Sequence, residues 1–264
     1  MKHVTFFKYQ GTGNDFILID NRLEEFPKEN QELIEKLCDR KFGIGADGLI
    51  LLENDDKVDF KMVYFNADGR ESTMCGNGGR CIVSFAHLLK VFTNNTTFNA
   101  IDGLHHASIT ANGIVALQMI DVVKDSIVND DTFTFLFTGS PHHVVLVDDV
   151  EYFDVYNQGK QIRYSDMYAP SGTNVNFVEQ LTPNKFKIRT YERGVEDETL
   201  SCGTGATAVA IAMNTLGLTQ ANTISIEVQG GMVEISFDQN EEQFFNVMLT
   251  GPAKLVFTGE IAIE

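Results

Sequence analysis

The sequence predicts an α+β fold built from two similar halves. Three observations point there: many short strand-like stretches, few helical ones, and one cysteine–glycine module that occurs twice, half a chain apart. The strand stretches are rich in β-branched and aromatic residues and are bounded by Gly, Asn or Asp. In the first half they cover 5–9, 16–20, 48–53, 60–66, 107–111 and 114–119. In the second half they cover 144–147, 174–179, 185–191, 224–228, 232–237, 244–250 and 254–259. Three stretches have a helical pattern instead. The first is 29–42, where Leu33, Ile34, Leu37 and Cys38 recur at helical spacing. The others are 80–89 and 206–216, both apolar over most of their length.

The duplicated module is the most informative feature. Residues 74–86 read Met-Cys-Gly-Asn-Gly-Gly-Arg-Cys-Ile-Val-Ser-Phe-Ala, and residues 201–213 read Ser-Cys-Gly-Thr-Gly-Ala-Thr-Ala-Val-Ala-Ile-Ala-Met. Each is Cys-Gly-polar-Gly followed by an apolar helix, and each follows a polar segment with an acidic residue. The duplication suggests two pseudo-equivalent domains, each offering one cysteine, Cys75 or Cys202.

Composition removes several classes of function. The 264 residues include 20 Lys+Arg against 37 Asp+Glu, a formal net charge of −17. Such a chain has no electrostatic footprint for nucleic acid or for an anionic membrane. No apolar run approaches the roughly 18–20 residues of a membrane span, and the first residues lack a signal-peptide pattern. A cytoplasmic protein with four free thiols is expected. The cysteines form no Cys-x-x-Cys pair, and the Cys75–Cys81 spacing does not suit zinc, so no metal is expected. Cys38 and Cys81 are read as small buried hydrophobes.

Cys75 and Cys202 call for a different account. The glycines after each let the backbone turn tightly and leave a ligand room to approach. The first N–H groups of a helix are unsatisfied and form an anion site at the positive end of its dipole. A cysteine there has its thiolate stabilised. One module is thus a reactive thiol beside a carboxylate pocket. Two modules suit inversion at a carbon next to a carboxylate, with one thiolate removing the α-proton and the other thiol returning one.

The residues around the modules carry a resemblance. Gly11-Thr-Gly-Asn-Asp-Phe16, Asn66-Ala-Asp-Gly69, the Cys75 module, Asn174-Val-Asn-Phe177, and Tyr191-Glu-Arg-Gly194 with the Cys202 module all resemble the diaminopimelate epimerase family. They do so in the family's order and spacing from about residue 5 to residue 259. The resemblance implies two pseudo-symmetric α/β halves, with mixed sheets around a central helix in each and the active site in the cleft between them. The C-terminal strand would return to the first half, giving domains 1–119 plus 252–264 and 120–251. It implies a cofactor-independent epimerase of LL- and meso-2,6-diaminopimelate in lysine and peptidoglycan synthesis, and a homodimer.

Carried over by position, Cys75 and Cys202 are the acid/base pair. Asn14, Asn66, Asn174 and Arg193 are substrate binders, with Arg193 suited to clamp the distal carboxylate in a bidentate way. Glu192 accepts from a substrate ammonium. Gly76, Asn77, Gly203 and Thr204 supply backbone N–H groups to the reacting carboxylate. His142, in Ser140-Pro-His-His143, is expected to lie near Cys75 and set its ionisation; His143 is read as structural.

The chain departs from the family pattern at Ser140, where many members have Asn, and at Gly48, where some have Gln. The 194–201 loop, which carries Glu196 and Asp197, is one residue longer than the shortest family form. Ser140 is expected to be a minor contact. The rival functions are a proline- or hydroxyproline-type racemase of the same fold, a phenazine-type isomerase, which lacks the paired cysteines, and a non-catalytic thiol redox sensor. A pyridoxal enzyme is disfavoured because no lysine lies in the glycine-rich motifs.

Overall fold

A computed structural model describes residues 2–263. The chain forms two compact units, Met1–Leu117 with Gly251–Glu264, and Gln118–Thr250. The strand pairings of the two units follow the same plan.

In the first unit, Lys2–Gly11 pairs antiparallel with Asn14–Asp20 and with the last strand, Lys254–Ile263. Asn14–Asp20 runs parallel to Gly48–Glu53, which is antiparallel to Phe60–Asn66. Phe60–Asn66 is parallel to Asn95–Ala100, from which Gly103–Ile109 and Ile114–Gln118 continue as an antiparallel meander. Helix α1 (Gln31–Cys38) connects the first parallel pair, and helix α2 (Gly76–Leu88) connects the second.

The second unit repeats this order. Thr134–Phe137 is antiparallel to Pro141–Leu146, which is parallel to Asn174–Thr182. Lys185–Glu192 follows antiparallel and is itself parallel to Thr223–Val228. Gly231–Gln239 and Gln243–Pro252 complete the meander. Helices α3 (Val155–Arg163) and α4 (Gly203–Thr215) take the places of α1 and α2.

Burial explains the two helix types. In α2 every residue from Gly76 to Val83 is buried, with Phe85 and Ala86, and it packs on four strands of its unit. In α4 all of Gly203–Met213 is buried except Thr204. A helix buried on all sides belongs inside its domain. The outer helices are amphipathic. α1 turns Ile34, Leu37 and Cys38 into a cluster with Ile17, Leu49 and Val63. α3 buries Val155 beside Val175, Phe177 and Tyr191.

The boundaries differ from the sequence pattern for local reasons. Instead of running over 29–42, α1 ends at Cys38. Asp39 accepts hydrogen bonds from the backbone of Lys41 and Phe42, both at 2.7 Å, and the N–H groups of Ile44 and Gly45 turn back onto the Leu37 carbonyl. A Cβ at Gly43 would meet the Lys36 carbonyl oxygen at 2.0 Å, so only glycine passes there. The central helices start earlier than the apolar pattern, at Gly76 and Gly203, because their first turns are the glycine-rich modules themselves. Helix α3 was not expected. Its polar run hides it in the sequence, and Asp154 starts it by accepting from Asn157 N–H.

Candidate active site

Both cysteines stand at the N-caps of the central helices. Cys75 has φ −102° and ψ 148°, and its Sγ accepts from the Gly78 N–H at 3.3 Å. Cys202 has φ −121° and ψ 110°, and its Sγ lies 3.5 Å from Thr204 Oγ1. Each sulfur therefore sits at the positive end of a helix dipole. The second glycine of each module has little room for a side chain. A Cβ at Gly78 would lie 3.1 Å from Cys75 Sγ, and one at Gly205 would lie 2.5 Å from Asn176 Oδ1. The other two thiols are elsewhere in character. Cys38 and Cys81 are buried, and burial pushes the Cys38 thiol up to about 12 and that of Cys81 higher still.

In the first unit the expected site residues share one sheet end. Phe16, Gly48 and Asn66 are in register across three strands, with Asn14 at the start of the first. Asn14 Nδ2 donates to Asp47 Oδ2 at 2.5 Å, and Asn14 Oδ1 accepts from Asn77 Nδ2 at 3.3 Å. Behind it, Arg40 bridges Asp47 and Asp15, each at 2.7 Å, and Lys8 pairs with Asp15 at 2.6 Å. Burial opposes the Asp15 charge, yet hydrogen bonds from Arg40 and Lys8 hold its carboxyl down at about 2. Asn66 is exposed at the end of its strand, where its backbone closes a turn with Gly69 and Arg70. At Gly48 a Cβ would meet the Tyr64 ring at 2.6 Å and Tyr64 Oη at 3.2 Å, so the tyrosine fills the space a longer side chain would take.

The second unit places its set by the same registers. His142 is level with Asn174, and the next residue, Val175, is paired with Tyr191, the neighbour of Glu192. Asn174 Oδ1 accepts the Arg193 N–H at 2.9 Å, while Nδ2 donates to Ser140 Oγ at 3.1 Å and to the Pro141 carbonyl at 3.0 Å. Arg193 Nη1 donates to the Ser171 carbonyl at 3.3 Å, and Glu192 Oε2 accepts from Thr199 Oγ1 at 2.7 Å. Glu196, in the long loop, accepts from Gly194 N–H and from Arg163 Nη2, both at 3.0 Å, and so fixes the turn after Arg193.

His142 is held within the second unit. It is fully buried, and its Nε2 is 2.9 Å from both Ser140 Oγ and Thr204 Oγ1. These bonds tie it to the Cys202 module of its own unit. Burial, reinforced by the Arg193 charge, pushes its pKa down to about 3 against the pull of Asn176. It is a neutral ring, so it orients hydroxyls instead of supplying charge. His143 is structural, stacked on Phe133 and bonded to Tyr168 Oη at 2.6 Å.

Two residues were not singled out from the sequence. Asn176 is fully buried behind His142, and Arg80 is fully buried beneath Asn77. A polar residue between Val175 and Phe177, and an arginine between Gly79 and Cys81 on an apolar helix, were the available signals. Among the described residues, no group of three or more His, Cys, Asp or Glu is placed to hold a metal ion. Among the described residues, no helix is long and apolar enough to cross a membrane.

The comparisons with known proteins bear on this geometry. The family model for diaminopimelate epimerase matches residues 6–124 and 134–256, which takes in both modules. The chain belongs to the diaminopimelate epimerase family. The diaminopimelate epimerase of Flavobacterium psychrophilum is 63% identical over 95% of this chain and 97% of that protein. That of Aquifex aeolicus is 41% identical over 98% of both. Among solved structures, a phenazine biosynthesis protein of the PhzF family from Bacillus anthracis superposes with a TM-score of 0.78 at 16% identity, covering 100% of both chains. A hydroxyproline epimerase from Agrobacterium vitis superposes with a TM-score of 0.70 at 13% identity, covering 99% of this chain and 93% of that one. At such identities these two show the fold alone, a two-halved α/β architecture.

Proposed function

We propose that the protein interconverts LL- and meso-2,6-diaminopimelate without a cofactor, using Cys75 and Cys202 as the proton carriers. The carrying observation is that each unit ends a topologically equivalent set of strands in a cysteine at the N-cap of its buried helix. Inversion at an α-carbon needs a proton taken from one face and one delivered to the other. The thiolate removes the α-proton and becomes a thiol. The electron pair spreads into the α-carboxylate, and the second thiol protonates the carbon and becomes the thiolate. The two groups have then exchanged protonation states, and proton exchange with water resets them.

The N–H groups of Gly76, Asn77, Gly203 and Thr204 belong to first helix turns, where they are suited to the carboxylate as its charge grows. Arg193 is assigned to the distal carboxylate and Glu192 to the distal ammonium. Asn14 and Asn66 complete the binding set. Asn174 supports it by holding the Arg193 backbone, since its amide is bonded to Ser140, Pro141 and Arg193. A cytoplasmic location fits free thiols. The exposed Leu255, Val256 and Phe257 of the last strand support association of two copies, which sedimentation would test.

The deciding experiment incubates purified protein with LL-diaminopimelate in heavy water. Formation of the meso isomer with deuterium at one α-carbon is expected. Cys75→Ala and Cys202→Ala should each lower turnover by at least about 10²-fold, the usual weight of one acid–base group. Near-normal turnover in either variant overturns the two-thiol assignment, and absence of exchange in the unmodified protein overturns the activity.

A further inference from the structure

Glu192 and Asp197 are paired across a hairpin of the second unit, so residues 193–196 form its turn. The turn has two residues in the left-handed region, Gly194 at φ 94° and Glu196 at φ 59°. Glycine takes up that region freely, whereas a glutamate keeps it only where its surroundings hold it there. Several bonds do so. The Glu196 N–H donates to the Glu192 carbonyl at 2.8 Å. Its Oε1 accepts from the Gly194 N–H at 3.0 Å, and from Arg163 Nη2 and Nε at 3.0 and 3.3 Å. Its Oε2 accepts from the Tyr191 hydroxyl at 3.4 Å. Burial opposes the Glu196 charge, and the Gly194 N–H, Tyr164 and Arg163 outweigh it, holding the carboxyl below the usual carboxylate range.

Arg163, the last residue of α3, also reaches a second segment. A Cβ at Gly172 would lie 1.5 Å from Arg163 Nη1 and 2.2 Å from Cζ, so the guanidinium occupies the space beside the Gly172 backbone. Its Cζ stands 4.7 Å from the centre of the Tyr164 ring, and its side chain is only 12% exposed. The segment it touches is the one on which Arg193 rests. The Ser171 carbonyl accepts from Arg193 Nη1 at 3.3 Å, and Asn174 Oδ1 accepts from the Arg193 N–H at 2.9 Å. The backbone bond fixes where the Arg193 side chain starts. Its far end is tied by one long bond to the carbonyl of Ser171, an exposed residue. Arg163 joins the two pieces, gripping the turn that carries Arg193 through Glu196 and backing the 171–174 segment at Gly172.

We infer that Arg163 is a positioning residue that acts through Arg193: by clamping Glu196 and the Gly172 backbone together, it holds the Arg193 fork in the orientation that takes a substrate carboxylate. The inference rests on the assignment of Arg193 to the distal carboxylate. An arginine side chain loses rotamer freedom when it grips a ligand, and ordering it beforehand lowers that cost. The gain falls on binding rather than on the chemical step, because the same grip serves ground and transition states. The other ion pair of this loop has a different task. Arg189 binds Glu198 at 2.6 Å and the carbonyls of Val150, Glu151 and Phe153, so it anchors the strand Asp197–Thr199 beyond the turn.

The test measures steady-state rates with LL-diaminopimelate for Arg163→Met, Arg163→Lys, Arg193→Lys and the Arg163→Met/Arg193→Lys double variant. Misplacing a binding group by about 1 Å can cost up to about 10²-fold, and Asn174 still holds the Arg193 backbone, so Arg163→Met should raise KM by about tenfold with kcat within about twofold. Arg163→Lys keeps the charge without the fork and should fall between. Once Arg193 is lysine the fork is gone, so Arg163→Met should then add little to KM. A merely structural Arg163 would add its full effect in both backgrounds. Amide hydrogen exchange without substrate follows the turn itself, and the N–H groups of Gly194 and Glu196 should exchange at least about tenfold faster in Arg163→Met while those of Thr223–Val228 keep their rates. An unchanged KM, a loss confined to kcat, full additivity with Arg193→Lys, or unchanged exchange in the turn overturns the inference. If Arg163→Met fails to fold, Glu196→Ala, on a partly exposed turn, replaces it. The same rise in KM alone is then expected, and an unchanged KM overturns the inference. The assignment of Arg193 fails separately. In that case Arg193→Lys leaves KM unchanged and the inference falls with it, whereas a raised KM in Arg193→Lys beside an unchanged one in Arg163→Met sinks the inference alone.

Discussion

Asn176 Nδ2 donates to His142 Nδ1 at 3.1 Å, and this bond fixes which nitrogen of the imidazole has the proton. The amide cannot be turned around. Its nitrogen also faces the His143 carbonyl oxygen at 3.3 Å, which only accepts, and its oxygen takes the Thr190 hydroxyl at 3.0 Å. His142 is therefore the Nε2–H tautomer, donating toward Ser140 and Thr204. The Thr204 hydroxyl is left free to donate to Cys202 Sγ. A buried strand position three side chains away thus orients the hydroxyl beside a reactive sulfur.

Asn176→Asp tests this order. A carboxylate accepts and does not donate, so His142 would place its proton on Nδ1 and present Nε2 as an acceptor. The Thr204 hydroxyl would then turn to His142 and leave Cys202. In the proposed mechanism Cys202 is a thiolate in one direction of the reaction, and loss of one hydrogen bond to a charged sulfur is worth about 1.5–3 kcal/mol, so kcat in that direction should fall by about tenfold to a hundredfold with KM little changed. Nitrogen chemical shifts of His142 report the tautomer directly. Retention of the Nε2–H form in the variant would show that Asn176 does not set it.

Ser140→Ala should be mild, although Ser140 Oγ has three neighbours. Each neighbour has a second partner: Asn174 Nδ2 bonds Pro141, and His142 Nε2 and Thr204 Oγ1 bond each other. The cost should be about 0.5–1.5 kcal/mol of stability, one neutral hydrogen bond, with turnover within about tenfold. Urea unfolding midpoints and steady-state rates check both. A larger loss of turnover without loss of stability would assign Ser140 a direct bond to substrate.

Arg193→Lys separates side chain from backbone. Asn174 holds the Arg193 N–H, which lysine keeps, so the loop stays in place. The planar fork is lost, and with it bidentate capture of a carboxylate. In the proposed assignment that carboxylate is remote from the bond being broken, so ground and transition states lose equally and KM should rise while kcat holds. Equilibrium binding of diaminopimelate by calorimetry measures the loss. An unchanged affinity would remove Arg193 from the binding set.

What the sequence revealed and what it concealed have physical causes. The duplication was legible because the Cys-Gly-polar-Gly turn and the apolar helix behind it tolerate few alternatives, as Gly78 and Gly205 illustrate. Strands such as Gly48–Glu53 and Phe60–Asn66 were legible to the residue because they are apolar runs closed by polar ends. Helix α3 and the strand Asn95–Ala100 were not, since their residues are polar and their conformation is imposed by neighbours, Tyr191 against Gly159 in one case and Gly103–Ile109 in the other. Asn176 and the bonding partners of His142 were hidden for another reason. Which polar groups meet inside a domain depends on strand register, and one sequence shows residue types but not which strands lie side by side.

The two buried histidines also determine how the protein responds to acid. Burial pushes His142 down to about 3 and His143 to about 4, well below the ordinary histidine value of about 6.5. Below pH 6.5 the unfolded chain therefore takes up protons at these sites that the folded chain refuses, and stability falls as pH falls. Each histidine contributes a slope of about 1.4 kcal/mol per pH unit once its unfolded form is fully protonated, and the slope persists until the folded pKa is reached. The window runs from about pH 6.5 down to about pH 4. Asp15, held at about 2, begins to add the same trend only below about pH 4, so the two effects are separable. Urea midpoints at closely spaced pH values should drop steadily between pH 6.5 and pH 4.5. His143→Gln should remove about half of that slope while leaving the site around Cys202 in place, because His143 bonds Tyr168 and stacks on Phe133 rather than touching Thr204. A midpoint that stays flat from pH 6.5 to pH 4.5 would mean that the folded protein protonates both rings, and with them would fall the neutral, donor-fixed His142 on which the orientation of Thr204 depends.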